Sequence, residues 1–530
     1  MGRSTLRFTA LLTMFVFCGL AALGASPANA GKTIKFRLAG DLKILDPIIT
    51  TSAYTIGHGY LVYDTLFAMN SKFEPQPQMV DTWSVSDDGL RYTFTLRKGM
   101  KWHDGTAVTA RDAVASLKRW GQKGSDAKAM MGQVQSIEAK NDLTFEMVFK
   151  EKFGPVLLTL ANPVIPGFIM REKDAMTSPN EPVKEIIGSG PFIFAKDEWM
   201  PGRKIVYHKF KEYVPRKEPA DGYAGGKIAK VDTVETVIIP DTNTAVQALI
   251  AGEIDVMESV PTDLVPLLKA SGSVEVRVTN PLGFLGHLRI NSVNPPFNNP
   301  KARQALLMSI DQDAFNTAVV GNHPEYKKTC WAVFGCDSLF ETEVGAEPFI
   351  NGSTEKAKQL MKEAGYDGRK IVILDPTDWD QGHAYALLAG QALRGIGVQV
   401  DVQAMDWSTL SERRSSKKLP GPGSPGWDIF PTSWPTITMS NPITNQPLET
   451  SCDKAWYGWP CDKEIERLRG EFVKSATIEE QKEVTRALQK RFYEIVPYVN
   501  AGQYVEANAW RSELKGMIPF MQPVYWNVDK

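Results

Sequence analysis

Apolar and polar positions along this chain of 530 residues change period repeatedly, and each change marks an element. After the turn Asp87-Asp88-Gly89, residues Tyr92, Phe94 and Leu96 alternate with Arg91, Thr93, Thr95 and Arg97. A period of two predicts a half-buried strand. Gly99 ends it, a short run through Trp102 predicts another strand, and Asp104-Gly105 predicts a second turn. Thr109 and Asp112 have capping-box spacing, and Ala113, Val114 and Leu117 form the apolar stripe of the helix that follows.

The same reading covers the rest of the chain. Residues 34–39 predict a first strand, and a helix from about Ser52 buries Ile56, Tyr60, Leu61 and Leu66. Strands are predicted at 205–208 and 233–239, then a helix at 244–251 stopped by Gly252, with a further strand at 253–256. From Leu282 a strand runs to about Asn291, followed by a proline-rich turn and a helix. Residues 355–402 alternate helix, strand, helix, strand, the pattern of a parallel sheet with crossover helices. A second lobe is expected to begin near Leu282; a long amphipathic helical region is predicted over 462–492, with a tail from Val499 that crosses back to the first lobe.

Composition adds export and redox state. Hydrophobic residues make up 43% and charged residues 23%, ordinary values for a soluble globular chain long enough for two or three domains. Sixty basic residues balance 61 acidic ones with no basic run, which argues against a nucleic-acid partner. Arg3 and Arg7, the apolar run 10–23 and Ala28-Asn29-Ala30 predict a secretory signal cleaved after Ala30, hence an exported, soluble mature protein. Cys18 raises lipid attachment as an alternative, but Phe17 is bulky where a small residue is needed. Cys330, Cys336, Cys452 and Cys461 remain, an even number that suggests disulfides in an exported protein. Three connectivities are open, and the local pairs 330–336 and 452–461 are favoured because each closes a short loop. A metal set is the competing reading, without any C-x-x-C to carry it.

Motifs for catalysis are missing. There is no HExxH, and Gly188-Ser189-Gly190 is no nucleophile elbow because Ile187 stands where glycine is required. Gly421 to Gly426 satisfies G-x-G-x-x-G, yet Pro422 and Pro425 forbid the helix start that would cradle a pyrophosphate, so it predicts a loop. The six histidines are scattered. No enzyme, no catalytic residue, no metal and no cofactor is expected.

One stretch carries a more specific pattern. Trp83, Asp88, Gly89, Tyr92, Phe94, Leu96, Arg97, Gly99, His103, Asp104, Gly105, Thr109, Ala110, Asp112, Val114, Ser116 and Arg119 resemble the signature of the extracytoplasmic solute-binding proteins of family 5. These are dipeptide-, oligopeptide- and nickel-binding receptors of bacterial ABC importers. Leu45-Asp46-Pro47, residues 187–192, residues 245–256 and Asn291, Pro295, Pro296, Phe297 and Arg303 resemble the family too. The resemblance implies an α/β, two-lobed periplasmic-binding-protein fold of type II, a Venus flytrap with an accessory subdomain in the first lobe. Lobe I is expected at 31–73, 186–281 and 497–530, the accessory subdomain at 74–185 and lobe II at 282–496. It implies the periplasmic substrate-binding component of an ABC importer for peptide transport or another small organic solute. A monomer is expected, with a small-molecule ligand and an ABC permease and ATPase complex in the inner membrane as partners. The signature stretch itself is expected to be scaffold, away from the ligand.

Ligand contacts implied by the resemblance are Thr51, Ser52, Tyr54 and His58 at the first helix, and Phe284, Trp407, Trp434 and Ile437 in the second lobe. Peptide-binding relatives carry Trp-x-x-Asp-x-x-(Asp/Glu)-Pro there, whose first aspartate pairs with the peptide α-ammonium. Here Trp434 to Pro442 is one residue longer, and the aspartate's place falls on Ile437 or Thr438, depending on the end from which it is counted. Neither side chain neutralises a buried ammonium. A free peptide N-terminus is therefore not expected to be anchored in the family's usual way. Asp428 could substitute, but its setting, GWDIF, predicts a strand. Trp379, Trp427, Trp456 and Trp459 add to an aromatic second lobe that suits a stacked or largely apolar ligand, or an enlarged cleft holding water. Two alternatives stay open: a metal-chelate or haem receptor of the same fold using histidines 58, 287 and 383, and a secreted hydrolase.

Overall fold

The computed structural model describes residues 31–50 and 52–530, so the leader, Cys18 and Thr51 lie outside the described residues. Two mixed sheets form the lobes. The first has seven strands, with Thr33–Leu38 at its centre, parallel to Thr233–Ile238 on one side and Val256–Val260 on the other. Ile34 pairs with Val234 and Phe36 with Thr236. A six-stranded second sheet runs Lys327–Lys328, Tyr498–Tyr504, Phe284–Ile290, Ile429–Pro435, Ile371–Pro376, Val400–Met405. Its last three strands are parallel, two of them from the alternation over 355–402, with helix Asp380–Gly395 making the crossover from Ile371–Pro376 to Val400–Met405.

A third, antiparallel sheet of four strands carries the signature stretch: Val80–Val85, Arg91–Leu96, Thr144–Phe149 and Val134–Ala139. Tyr92, Phe94 and Leu96 are buried on one face. Their core is continuous with that of the first lobe, so the accessory part does not fold around a separate core. Thr109 caps the helix Ala110–Trp120, its N–H donating to Asp112 Oδ2 at 2.7 Å and its hydroxyl at 2.9 Å.

Several expectations change. The run through Trp102 is not a strand; it makes one bridge, Lys101 to Ala107, because Gly99 and Gly105 turn the chain at positive φ on either side. The first helix is Ala53–Val62, so buried Leu66 lies beyond it. The strand expected at 253–256 begins only at Val256. The region 462–492 is two helices, Lys463–Lys474 and Ile478–Ile495, the second started by a capping box of Thr477 and Glu480. The final crossing comes later than residue 497. Tyr498–Tyr504 still pairs with Phe284–Ile290 in the second sheet, and Ala507–Arg511 is the strand that joins the first. Phe284 stacks on Tyr504 across that pairing, which holds the strand in the second sheet to its end.

Glycines 188 and 190 serve close approach. A Cβ on Gly188 would lie 1.8 Å from the Val62 carbonyl oxygen, and Gly190 N–H donates to that same oxygen at 2.8 Å. His103 clasps this return: Gly188 N–H donates to its Nδ1 at 3.3 Å, and its Nε2 meets Gly190 O at 3.0 Å. Burial holds the His103 imidazole down, to about 4, so the neutral ring with its proton on Nε2 fits both bonds. The loop 421–426 contains no helix start.

Candidate ligand cleft

A cavity of about 450 Å³ opens between the second lobe and the accessory subdomain. This is the size of a small-molecule site. One wall is the end of the strand Ile429–Pro435 and the short helix Thr436–Met439, which present Trp434 and Ile437. The facing wall comes from Asp126, Leu158 and the loop from Asn162 to Ile165. The lining is mostly apolar, and Asp126 is its single charged residue.

Most polar groups of the second-lobe wall are spent locally. Thr438 Oγ1 donates to Pro435 O at 2.7 Å and Ser440 Oγ to Ile437 O at 2.8 Å, while Asn441 Oδ1 accepts from the amides of Ile443 and Thr444. Three buried atoms of the lining have no partner: Trp434 Nε1, Thr444 Oγ1 and Asp126 Oδ1. A donor, a hydroxyl and an acceptor thus lie unpaired around an apolar hollow, which is how a site fixes a small molecule's orientation.

Trp434 is set by its neighbours. Trp456 meets it edge-on with ring centres 5.4 Å apart, and Trp456 lies in the loop closed by Cys452–Cys461. Fully buried Arg289 braces that loop, donating from Nη1 to Pro447 O at 2.7 Å and from Nη2 to Trp456 O at 3.2 Å. Burial pulls the guanidinium down to about 9, only partly offset by the charge of Glu449. Both local disulfides are present, Cys330–Cys336 and Cys452–Cys461.

Of the contacts named from sequence, the structure brings only Trp434 and Ile437 to this cavity. Thr51 lies outside the described residues, and Ser52 is the N-cap of the first helix. Tyr54 and His58 line a separate hollow of about 40 Å³ inside the first lobe, room for a water rather than a solute. His58 Nδ1 bonds Tyr207 Oη at 2.9 Å, and burial lowers its pKa to about 3, so it is a neutral packing residue there. Phe284 stacks on Tyr504, and Trp407 meets Trp379 edge-on at 5.2 Å. Asp428 is structural: both its oxygens accept from Arg369, at 2.6 and 2.8 Å, and Val372 N–H adds a third bond. Histidines 58, 287 and 383 do not converge; the first two are buried in different sheets' cores and His383 pairs with Asp375 at 2.7 Å. Among the described residues no group of three or more His, Cys, Asp or Glu could hold a metal ion. What sequence reasoning missed is Asp126, whose setting after Gly124 reads as an ordinary acid in a helix's first turn.

The family described as bacterial extracellular solute-binding proteins, family 5 middle, matches residues 74–450. The chain belongs to that family. A family 5 relative, a probable peptide ABC transporter periplasmic-binding protein of Sinorhizobium fredii, is 43% identical over 507 residues, covering 94% of each chain. The glutathione-binding protein GsiB of Escherichia coli K12 is 24% identical over 507 residues, 91% of this chain and 92% of its own. Among solved structures, the ABC transporter substrate binding protein CtaP of Listeria monocytogenes has a TM-score of 0.77 at 22% identity, covering 92% of this chain and 95% of its own. The fold is the two-lobed type II periplasmic-binding-protein fold, and this family 5 chain is the substrate-binding component of an ABC importer, whose permease and ATPase are its partners. Such a component is exported, and no described helix is long and apolar enough to cross a membrane.

Proposed function

We propose that this receptor captures a small peptide-like compound in the cavity between Trp434 and the accessory subdomain and delivers it to the membrane permease. The observation that carries the reading is the cavity itself: apolar walls, about 450 Å³, and three unpaired polar atoms. The peptide class is supported by the Sinorhizobium fredii relative. No second-lobe carboxylate stands between Trp434 and Pro442 to take a peptide N-terminus. We read the protein as a receptor and not an enzyme, since the one ionisable group of the lining has no second acid or base beside it there. It is read as a monomer released after Ala30, with lobe I at 31–73, 186–281 and from Ala507 on, and the accessory subdomain at 74–185.

Native mass spectrometry of protein purified from its own periplasm tests this. A retained mass in the range of small peptides or peptide-like acids is expected, and Trp434→Ala is expected to release it. A retained metal chelate or haem, or a bound mass that Trp434→Ala leaves untouched, would overturn the proposal.

A further inference from the structure

We propose that Asp126 receives a protonated amine of the solute, supplying from the accessory wall the carboxylate that the second lobe does not provide. The inference rests on the solute-receptor reading of this cavity. Asp126 lies in the first turn of the helix Ser125–Gln133, is 2% exposed and is among the residues lining the cavity. One oxygen, Oδ2, accepts from Asn162 Nδ2 at 2.6 Å; the other, Oδ1, has no hydrogen-bond partner.

That condition sets it apart from the other buried aspartates. Asp46 has Arg119, Asp64 has Lys227, Asp174 has Arg171, Asp255 has Lys530, Asp375 has His383 and Asp428 has Arg369. Asp112 has no basic partner but both its oxygens accept hydrogen bonds. Asp126 alone among the described buried aspartates has no basic side chain bonded to it and a buried oxygen without a hydrogen-bond partner, and no Lys, Arg or His lines the cavity. A carboxylate kept out of water with no cation beside it is costly, and an incoming cation removes that cost. Burial pushes the carboxyl up, against the pull of Asn162 and the amides of residues 126 and 127.

The rest of the cavity fits the same solute. Trp434 offers an unpaired Nε1–H to a carbonyl or carboxylate oxygen, and Thr444 an unpaired hydroxyl. A molecule with an ammonium and an oxygen acceptor carries the kinds of partner these atoms lack. The α-ammonium of a peptide has this chemistry, and so has the amine of a non-peptide cation.

Native mass spectrometry of the mature wild-type protein and of Asp126→Asn would use three probes at neutral pH. They are a random tripeptide mixture with free N-termini, the same mixture N-acetylated, and spermidine as a non-peptide amine. Wild type is expected to retain free tripeptides or spermidine in preference to the acetylated mixture, which tells the two amine sources apart. Asp126→Asn is expected to weaken that retention tenfold or more, the scale of a charge-assisted bond. Without ligand the variant is expected to melt higher than wild type, because it loses a buried charge that has no cation beside it. A purely structural aspartate would give the reverse. Equal retention by the two proteins, or a lower melting temperature with unchanged retention, overturns the anchor. Acetylated tripeptides held equally by both proteins overturn the anchor and leave solute capture standing; no probe held by wild type overturns both.

Discussion

Arg119 and Asp46 form a fully buried bidentate ion pair, Nη2 to Oδ2 at 2.7 Å and Nη1 to Oδ1 at 3.2 Å. Arg119 ends the signature stretch on the accessory helix Ala110–Trp120, and Asp46 sits in the loop after the first strand of lobe I. The carboxylate also accepts from Ile48 and Val183 N–H, and the guanidinium donates to the Thr177 and Glu181 carbonyls. The pair therefore locks the accessory part onto the lobe whose core it shares.

Breaking one half should be costly. Arg119→Met leaves Asp46 as an uncompensated buried charge, and a loss of about 3–5 kcal/mol is expected in urea unfolding. Changing both residues to apolar ones of similar volume should recover most of that loss. A single variant as stable as wild type would mean that the pair does not carry this junction.

Gly154 marks where the accessory part touches the second lobe. Its N–H donates to Val473 O at 2.7 Å, and a Cβ there would lie 1.5 Å from the Ser475 carbonyl oxygen. Gly154→Ala is expected to prevent this approach and weaken solute binding on the order of tenfold, by the usual cost of overpacking. Small-angle scattering should show a wider molecule. Unchanged dimensions and affinity would show that the contact is dispensable.

Acid should destabilise the protein earlier than its carboxylates alone predict. Burial holds His58, His103 and His287 down, to about 3, 4 and 3. An unfolded histidine takes up a proton near 6.5. Below that pH the unfolded chain binds protons that the folded chain refuses, so stability present above 6.5 is lost as pH falls toward these values. Glu258 opposes this: burial pushes it up to about 7, so its contribution is full below about 4.5 and gone above 7. Three groups outweigh one, and the melting temperature is expected to fall between pH 6.5 and 4.5. His58→Gln should make that fall shallower; an identical slope would count against the assignment.

The Cys452–Cys461 bridge closes a loop of sequence separation 9 that holds Trp456 against Trp434. Replacing both cysteines by serine is expected to cost about 2.5 kcal/mol by release of that loop in the unfolded chain. Solute affinity should fall with it, because Trp434 loses its edge-on support. Retained affinity in the double variant would assign the positioning to Arg289 alone.

Much of the architecture was legible along the chain because periodicity and caps are local. The alternation at Tyr92, Phe94 and Leu96, the Thr109 cap and the αβ alternation over 355–402 each became the element they predict. Failures came where the outcome depended on distant partners. Nothing near Tyr498 says that it pairs with Arg289 before the chain crosses between sheets. Tyr54 and His58, apt for a cleft by resemblance, are turned into the first lobe by packing against Tyr207, Phe194 and the Gly40 backbone.

The sequence by itself determined the family, the export class of the chain, the strand and helix order and the absence of an acid from Trp434 to Pro442. Only the tertiary structure decided which wall faces Trp434. It brings Asp126, an unremarked helix-start acid, across from a tryptophan far along the chain and leaves one of its oxygens unpaired. The reason is physical: a residue's secondary structure follows from its neighbours in sequence, whereas the cost of its charge is set by whatever folding places around it.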